Sequence, residues 1–239
     1  DKVEIRKADH LWGKDTYETV ELIRKMSGNR TEVACIGQAG EKMVSISSIM
    51  IGGKESRAAG RCGLGAVMGS KNLKAISVSG SKTPKVADRT SLIKSIKECI
   101  SEMKDLLPIA KRYGTPMVLI PGALKADLPV KNWQLASWED KAKNISGEVM
   151  ADTILTGSSH CSNCVISCGR MVRLQEGPFA PVDGAGPEYQ TLAMFGSNCL
   201  IDNLEAIAKA NELCNRYGLD TISTGAIVAF TIECFENIL

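Results

Sequence analysis

Three thiols fall within eight residues in Cys161-Ser-Asn-Cys164-Val-Ile-Ser-Cys168, and Gly169 and Arg170 follow at once. A C-x2-C-x3-C spacing lets a short loop aim several sulfurs at one point. Thiolates at such close quarters suit zinc, copper(I) or an iron–sulfur cluster, and a disulfide is the plainer use of the same residues. Structural zinc takes four nitrogen or sulfur ligands. His160 adjoins Cys161, and two adjacent residues on one ion strain the chain, so a complete zinc set is missing nearby. A [4Fe–4S] cluster also wants four thiolates. Cys199, Cys214 or a residue beyond Leu239 can supply the fourth, and spacing does not choose among them.

A second stretch is built for close approach. Arg57-Ala-Ala-Gly60-Arg61-Cys-Gly63-Leu-Gly65-Ala-Val-Met-Gly69 places four glycines and three alanines in thirteen positions, with Lys71 and Lys74 just beyond. Small residues let a ligand reach backbone N–H groups, and arginine can clamp a phosphate at two points. The run fits neither a Walker loop nor G-x-G-x-x-G, because Gly63-x-Gly65 is followed by Gly69. The plainer reading is a tight strand-to-helix turn with solvated basic side chains. Two further segments combine turns with polar groups. Gly186-Pro-Glu-Tyr189-Gln190-Thr191 is a fixed turn running into a helix start, where Glu188 sits favourably at the positive end of the dipole. Asn215-Arg-Tyr-Gly218-Leu219-Asp220 reads first as a glycine C-cap followed by an aspartate N-cap.

The chain that must position these groups has 239 residues, 44% hydrophobic and 23% charged, enough for one large domain or two smaller ones. A net charge of +2 and an aromatic content of 5% give neither the field nor the stacking platform of a nucleic-acid or membrane-surface binder. The longest apolar runs, such as 225–232, are too short to span a bilayer, and the opening Asp1-Lys-Val-Glu-Ile-Arg6 lacks the apolar core of a leader. Six of the nine cysteines lie scattered in core-like segments, which suits a reducing cytoplasm. Both ends read as internal to a longer protein.

Alternating or apolar runs predict strands at 3–6, 32–37, 44–51 and 75–79, and a capped amphipathic helix from Asp15 to Gly28. Leu92, Ile96, Cys99, Ile100 and Met103 form one stripe of a helix over 89–104. The chain thus changes class near residue 85. The expected fold is α+β, with a β-rich domain over 1–85 and a mainly helical domain over 86–239. Four prolines break 107–144, where Trp133 and Trp138 are expected to anchor irregular structure. Short helices are expected at 148–155 and from Tyr189, and longer ones from an Asp202 cap to Gly218 and from Ser223 onward.

Taken together, these segments resemble the tungsten-dependent aldehyde:ferredoxin oxidoreductase family. The run from Arg57 to Ile76 looks like its signature, with Cys62 where a glycine is expected. The resemblance implies an internal fragment holding the end of a pterin-covering β domain and the first helical domain. It implies a tungsten (or molybdenum) bis-pterin contacted by Arg57, Ala58 and Gly60, with the Ala58 carbonyl on a magnesium that bridges the pterin phosphates. Asn215, Leu219 and Asp220 occupy a pterin loop written D-x-x-G-L-D in the family, so Asn215 keeps an acceptor but loses a charge. Cys161, Cys164 and Cys168 become ligands of a [4Fe–4S] cluster whose fourth cysteine lies beyond Leu239, leaving Cys199 and Cys214 as core thiols. The family reads Gly-Pro-Glu-Tyr-Glu where this chain has Gln190, and an amide cannot serve as a general base. Tyr189 is the remaining polar candidate for catalysis. The implied activity is oxidation of an aldehyde to a carboxylate, with electrons leaving through the cluster to ferredoxin, in a cytoplasmic protein that can form a homodimer. Reduction of an aromatic thioester by a related tungsten enzyme, and an inactive cofactor-free fragment, are the alternatives.

Overall fold

The computed structural model describes residues 2–55 and 57–237. In chain order the elements begin with α1 (Thr16–Ser27), β1 (Glu32–Cys35), α2 (Gln38–Glu41), β2 (Ile49–Ile51), β3 (Arg57–Ala59), α3 (Leu64–Ser70) and β4 (Ala75–Val78). Five helices follow: α4 (Arg89–Glu102), α5 (Leu106–Tyr113), α6 (Leu119–Leu124), α7 (Glu139–Ala142) and α8 (Gly147–Thr153). Then come β5 (Leu155–Ser159), β6 (Gly169–Leu174), β7 (Val182–Ala185), α9 (Tyr189–Phe195), α10 (Leu204–Tyr217) and α11 (Thr221–Glu236). This is the α+β class expected from the sequence. The chain divides into two compact units, one of residues 1–79 with 210–227, the other of 80–209 with 228–239.

In the first unit an antiparallel sheet runs in the order β3-β2-β1-β4. Helix α1 packs Val20 and Ile23 onto Val33 and Cys35 of β1, with Leu11 closing the cluster. Its start is fixed by a reciprocal cap. The Asp15 carboxylate accepts the Glu18 N–H at 2.8 Å, and the Glu18 carboxylate accepts the Asp15 N–H at 3.1 Å. This unit also holds a buried ion pair. Lys74 is 1% exposed and donates to Glu41 Oε1 at 2.5 Å and to the Lys14 carbonyl at 2.8 Å, while Glu41 also accepts the Gly13 N–H. A lysine buried this deeply is tolerated because both partners are fixed by backbone. Burial pushes the Cys35 thiol of the same unit up to about 12, so it is a neutral core group.

In the second unit α5, α6, α8 and α9 surround Leu119, Ile145, Met150 and Leu192, all fully buried. Beside them stands a three-stranded antiparallel sheet in the order β5-β6-β7.

Several expectations need correction. The run 3–6 is not a strand: Val3 and Ile5 are 90% and 99% exposed, and alternation alone gives no strand without a neighbour to pair with. Only 49–51 of the expected strand 44–51 is extended, because Met43 turns left-handed and the Ser47 N–H returns to the Val44 carbonyl. The amphipathic stripe of α4 buries no residue. Trp133 is 72% exposed and anchors nothing. Asn203, not Asp202, caps α10, accepting the Ala206 N–H at 2.9 Å; Asp202 instead pairs with Lys141 at 2.9 Å. The β5-β6-β7 sheet lies in a stretch the sequence suggested was helical.

Replacing Lys74 with methionine leaves Glu41 buried without its cation. Denaturant unfolding should show a loss of about 3–5 kcal/mol, the cost of orphaning one member of a buried pair. A loss below about 1 kcal/mol, the scale of an exposed pair, would contradict the burial seen here.

Candidate functional site

The structure gathers the sequence-selected residues into two places, one in each unit. The first is made in the N-terminal unit, where residues 215–220 return to the β-rich segment. The Asn215 carbonyl accepts the Thr16 hydroxyl at 2.7 Å. Ser48 N–H donates to the Gly218 carbonyl at 2.8 Å, and Asp220 N–H donates to the Ile46 carbonyl at 3.0 Å. Leu219 forms an antiparallel bridge with Ser47. This close approach has a strict requirement: a Cβ at Gly37 would lie 2.2 Å from the Tyr217 carbonyl oxygen. Gly218 itself turns left-handed at φ 72°, as a C-cap glycine does.

The return of residues 215–220 brings Asp220 against the end of β3. A Cβ at Gly60 would meet Asp220 Oδ1 at 3.2 Å, and the Gly60 carbonyl is held by the Ser48 hydroxyl at 2.9 Å. Asp220 is buried and caps α11, its Oδ2 accepting both the N–H (2.8 Å) and the hydroxyl (2.6 Å) of Ser223. Strand β3 lies at the sheet edge, so its outer side has no ladder partner among the described residues. Ala58 there is exposed and Arg57 half-buried. Arg57, Ala58, Gly60, Asn215, Leu219 and Asp220 thus belong to one unit, with Gly60 touching Asp220. An open strand edge, a cradle that a side chain at residue 60 would narrow, and a nearby arginine fit a polyanionic ligand such as a pterin phosphate. The other small residues of the segment serve the strand–turn–helix. A Cβ at Gly69 would strike the Gly40 carbonyl at 1.9 Å, which fixes α3 against α2. Cys62 is exposed and holds φ 78°, a conformation that favours glycine, so the departure noted there is at a backbone-strained turn.

The second place is the thiol loop, which connects β5 to β6 as the end of an antiparallel hairpin. Cys161 is exposed, Cys164 and Cys168 are half-buried, and none is in a disulfide. Asn163 and Ser167 are left-handed, which curls the loop. By donor type and accessibility the three thiols fit an iron–sulfur cluster. The structure does not bring them together: among the described residues no three His, Cys, Asp or Glu side chains form a group able to hold a metal. Cys199 and Cys214 are poor candidates for the fourth place. Both are buried, burial pushes each thiol up to about 11, and Cys199 donates to the Met194 carbonyl at 3.3 Å. His160 stays on the surface, bonded to the Cys161 carbonyl.

The segment Gly186–Thr191 lies in the same unit as the loop. The Glu188 carboxylate accepts a short hydrogen bond from the Thr115 hydroxyl, and that hydroxyl oxygen accepts the Tyr189 N–H at 3.0 Å. Burial, and secondarily Asp127, raise the Tyr189 pKa above its ordinary value, so the phenol remains a proton donor at neutral pH. Gln190 is exposed in the first turn of α9. Sequence reasoning missed Thr115 as the group that fixes this turn, and it missed the buried side chain of Arg170. Both are single polar residues with partners far away in sequence: Glu188 and the Tyr189 N–H for Thr115, and the Lys111 and Arg112 carbonyls for Arg170.

The family model described as "Aldehyde ferredoxin oxidoreductase, N-terminal domain" matches residues 1–80, and that described as "Aldehyde ferredoxin oxidoreductase, domains 2 & 3" matches residues 91–239. A tungsten-containing aldehyde ferredoxin oxidoreductase of Pyrococcus furiosus is 41% identical over 242 positions, covering 98% of this chain and 38% of that protein. Its counterpart in Thermococcus kodakarensis is also 41% identical, covering 99% of this chain and 39% of the relative. An aliphatic sulfonate oxidoreductase, WOR-like subunit, of Pyrococcus furiosus is 30% identical, again with 99% of this chain covered. Among solved structures, the active site complex BamBC of benzoyl coenzyme A reductase superposes with a TM-score of 0.77 at 27% identity, covering 99% of this chain and 37% of that chain. The chain therefore spans about two-fifths of the length of these relatives.

Asp220 can be tested without any cofactor. Asp220→Ala removes the cap of α11 and should lower stability by about 1–2 kcal/mol, whereas Asp220→Ser should recover most of it. Equal stabilities for the wild type and the alanine variant in thermal unfolding would show that the carboxylate does not cap the helix.

Proposed function

Because the chain belongs to the aldehyde ferredoxin oxidoreductase family, we propose that it forms part of a tungsten oxidoreductase that converts an aldehyde and water to a carboxylate. The reaction releases two electrons and three protons, and ferredoxin, a one-electron carrier, takes the electrons singly. Support comes from the strong likeness to tungsten-containing relatives along nearly the whole chain. When bound, a tungsten bis-pterin would supply two-electron redox chemistry, and a cluster held by Cys161, Cys164 and Cys168 would supply one-electron chemistry.

The residues divide the work. In this reading residues 1–85 would form the β-rich, pterin-covering part, joined there by 215–220, and the rest of 86–239 the helical part with the thiol loop. Arg57 would clamp a pterin phosphate, and the Ala58 carbonyl would face a bridging magnesium. Gly60 keeps the cradle open. Asp220, Leu219 and Asn215 would offer acceptors and backbone groups to the pterin ring. Cys161, Cys164 and Cys168 would supply three of four cluster thiolates, with the fourth from elsewhere in the whole protein. Tyr189, held protonated by burial, would donate a hydrogen bond to the substrate oxygen. Gln190 would hydrogen-bond there as well, but its amide cannot accept a proton in the way the family glutamate can.

That substitution favours one second reading. The likeness to benzoyl coenzyme A reductase together with Gln190 in the catalytic turn supports reduction of an aromatic thioester by the same cofactors. Viologen-coupled assays of the metal-loaded whole protein separate the two. Turnover of aldehydes is the expected result, and Gln190→Glu should raise it, by up to about 10²-fold if a general base is restored. Absence of turnover with every aldehyde, alongside reduction of an aromatic thioester, would replace the first reading with the second.

A further inference from the structure

Arg170 is 1% exposed and is among the largest fully buried side chains. Among the described residues no carboxylate is hydrogen-bonded to its guanidinium; four backbone carbonyls are. Nε donates to the Cys168 carbonyl at 3.1 Å, Nη1 to Arg112 at 2.6 Å, and Nη2 to Lys111 at 2.8 Å and Ser167 at 3.0 Å. Lys111 and Arg112 lie in the last turn of α5, whose carbonyls have no partners within the helix. Ser167 and Cys168 close the thiol loop. One rigid fork therefore ties a helix end to the two residues that aim the third thiol. The helix C-terminus is the negative end of a dipole, which makes it a suitable seat for a cation.

The surroundings are shaped to this fork. Gly114 is left-handed at φ 62°, and a Cβ there would lie 2.5 Å from the Cys168 carbonyl oxygen and 2.6 Å from Arg170 Nε. The Arg170 backbone is pinned on both sides, paired with Ser158 across β5 and β6 and accepting the Gly186 N–H at 2.9 Å. Ser167, left-handed at φ 56°, holds that conformation while its carbonyl is gripped. Burial lowers the guanidinium pKa, but Glu188 and Cys168 nearby work to keep it charged.

We infer that Arg170 is the positioning residue of the thiol loop: its buried guanidinium clasps the Ser167 and Cys168 carbonyls to the end of α5 and so sets the direction of the Cys168 thiol. The planar five-donor fork is essential to this role. A lysine carries the same charge but has three donors on one nitrogen and cannot reproduce four bonds made from three nitrogens of a planar fork. The benefit to a metal rests on the cluster reading above; the clasp itself does not.

The test therefore uses a readout that needs no metal. The reduced chain is alkylated with iodoacetamide, and mass spectrometry gives initial rates at each cysteine. In Arg170→Lys the Cys168 rate should rise about tenfold, the factor expected when a charged hydrogen bond or two is lost, while the Cys161 rate stays within about twofold. A merely structural role would speed all three sites together or none. Should Arg170→Lys fail to fold, Gly114→Ala decides, since it forces the same clasp apart with Arg170 intact and should show the same selective rise. An unchanged ratio of Cys168 to Cys161 rates in the folded variant overturns the inference. A parallel arm incubates the wild-type whole protein, which carries the fourth thiolate of the cluster reading, anaerobically with ferrous ion, sulfide and an exogenous thiol. Iron uptake with an unchanged ratio sinks the clasp and leaves the cluster reading standing. No iron uptake with the selective rise sinks the cluster reading and supports the clasp.

Discussion

Residues 215–220 can lie on the N-terminal β-rich unit only because Gly37 has no side chain, since a Cβ there would sit 2.2 Å from the Tyr217 carbonyl oxygen. Everything proposed for the first site follows from this approach. With the backbones in contact, Ser48 and Ile46 can bond Gly218 and Asp220, and Leu219 can bridge to Ser47. Asp220 then faces Gly60, some 160 residues earlier in the chain. Hydrogen bonds of this kind each contribute on the order of 1 kcal/mol. Their value here is geometric: they place two loops against one another with no freedom to slide.

The second site relies on the opposite device. Its loop has little local structure, and two of its residues are held in left-handed conformations. Rigidity is brought from outside by Arg170, which reaches the loop and the end of α5 at once. A neighbouring contact does the same for the Glu188–Tyr189 turn, where the Thr115 hydroxyl links Glu188 to the backbone of Tyr189. Thr115 and Gly114 follow α5 directly, so the short segment after that helix holds both the thiol loop and the Glu188–Tyr189 turn. If the loop holds the proposed cluster, such fixed framing would serve it, because ligand direction and hydrogen bonding set the properties of a metal.

The sequence made some of this legible and hid the rest for physical reasons. Most local signals held: the Asp15 N-cap, the Gly218 C-cap and the Asp220 N-cap are each decided within a few residues and appear as read, although the cap of α10 falls on Asn203 and not on Asp202. The thiol spacing was equally plain. Signals that need a distant partner failed. The alternation at 3–6 has no neighbouring strand, and the α4 stripe has no partner among the described residues. The β5-β6-β7 sheet escaped notice because β5 is Leu-Thr-Gly-Ser-Ser, a run poor in β-branched and aromatic residues, and is a strand only by pairing with β6. Arg170 looked like the end of a motif. Its role depends on carbonyls 58 and 59 residues away, which no spacing rule can reveal.

The central claim is that two separable residue sets serve two cofactors, 57–60 with 215–220 for the pterin metal and the thiol loop for the cluster. Gly60→Val tests it most directly, because the added side chain enters the space facing Asp220. Iron and tungsten are measured per chain in the whole protein purified without oxygen, wild type against variant. The account predicts that Gly60→Val loses most of its tungsten and pterin and keeps the iron of the wild type. Full tungsten in the variant, or joint loss of both metals in a protein that remains folded, would contradict it.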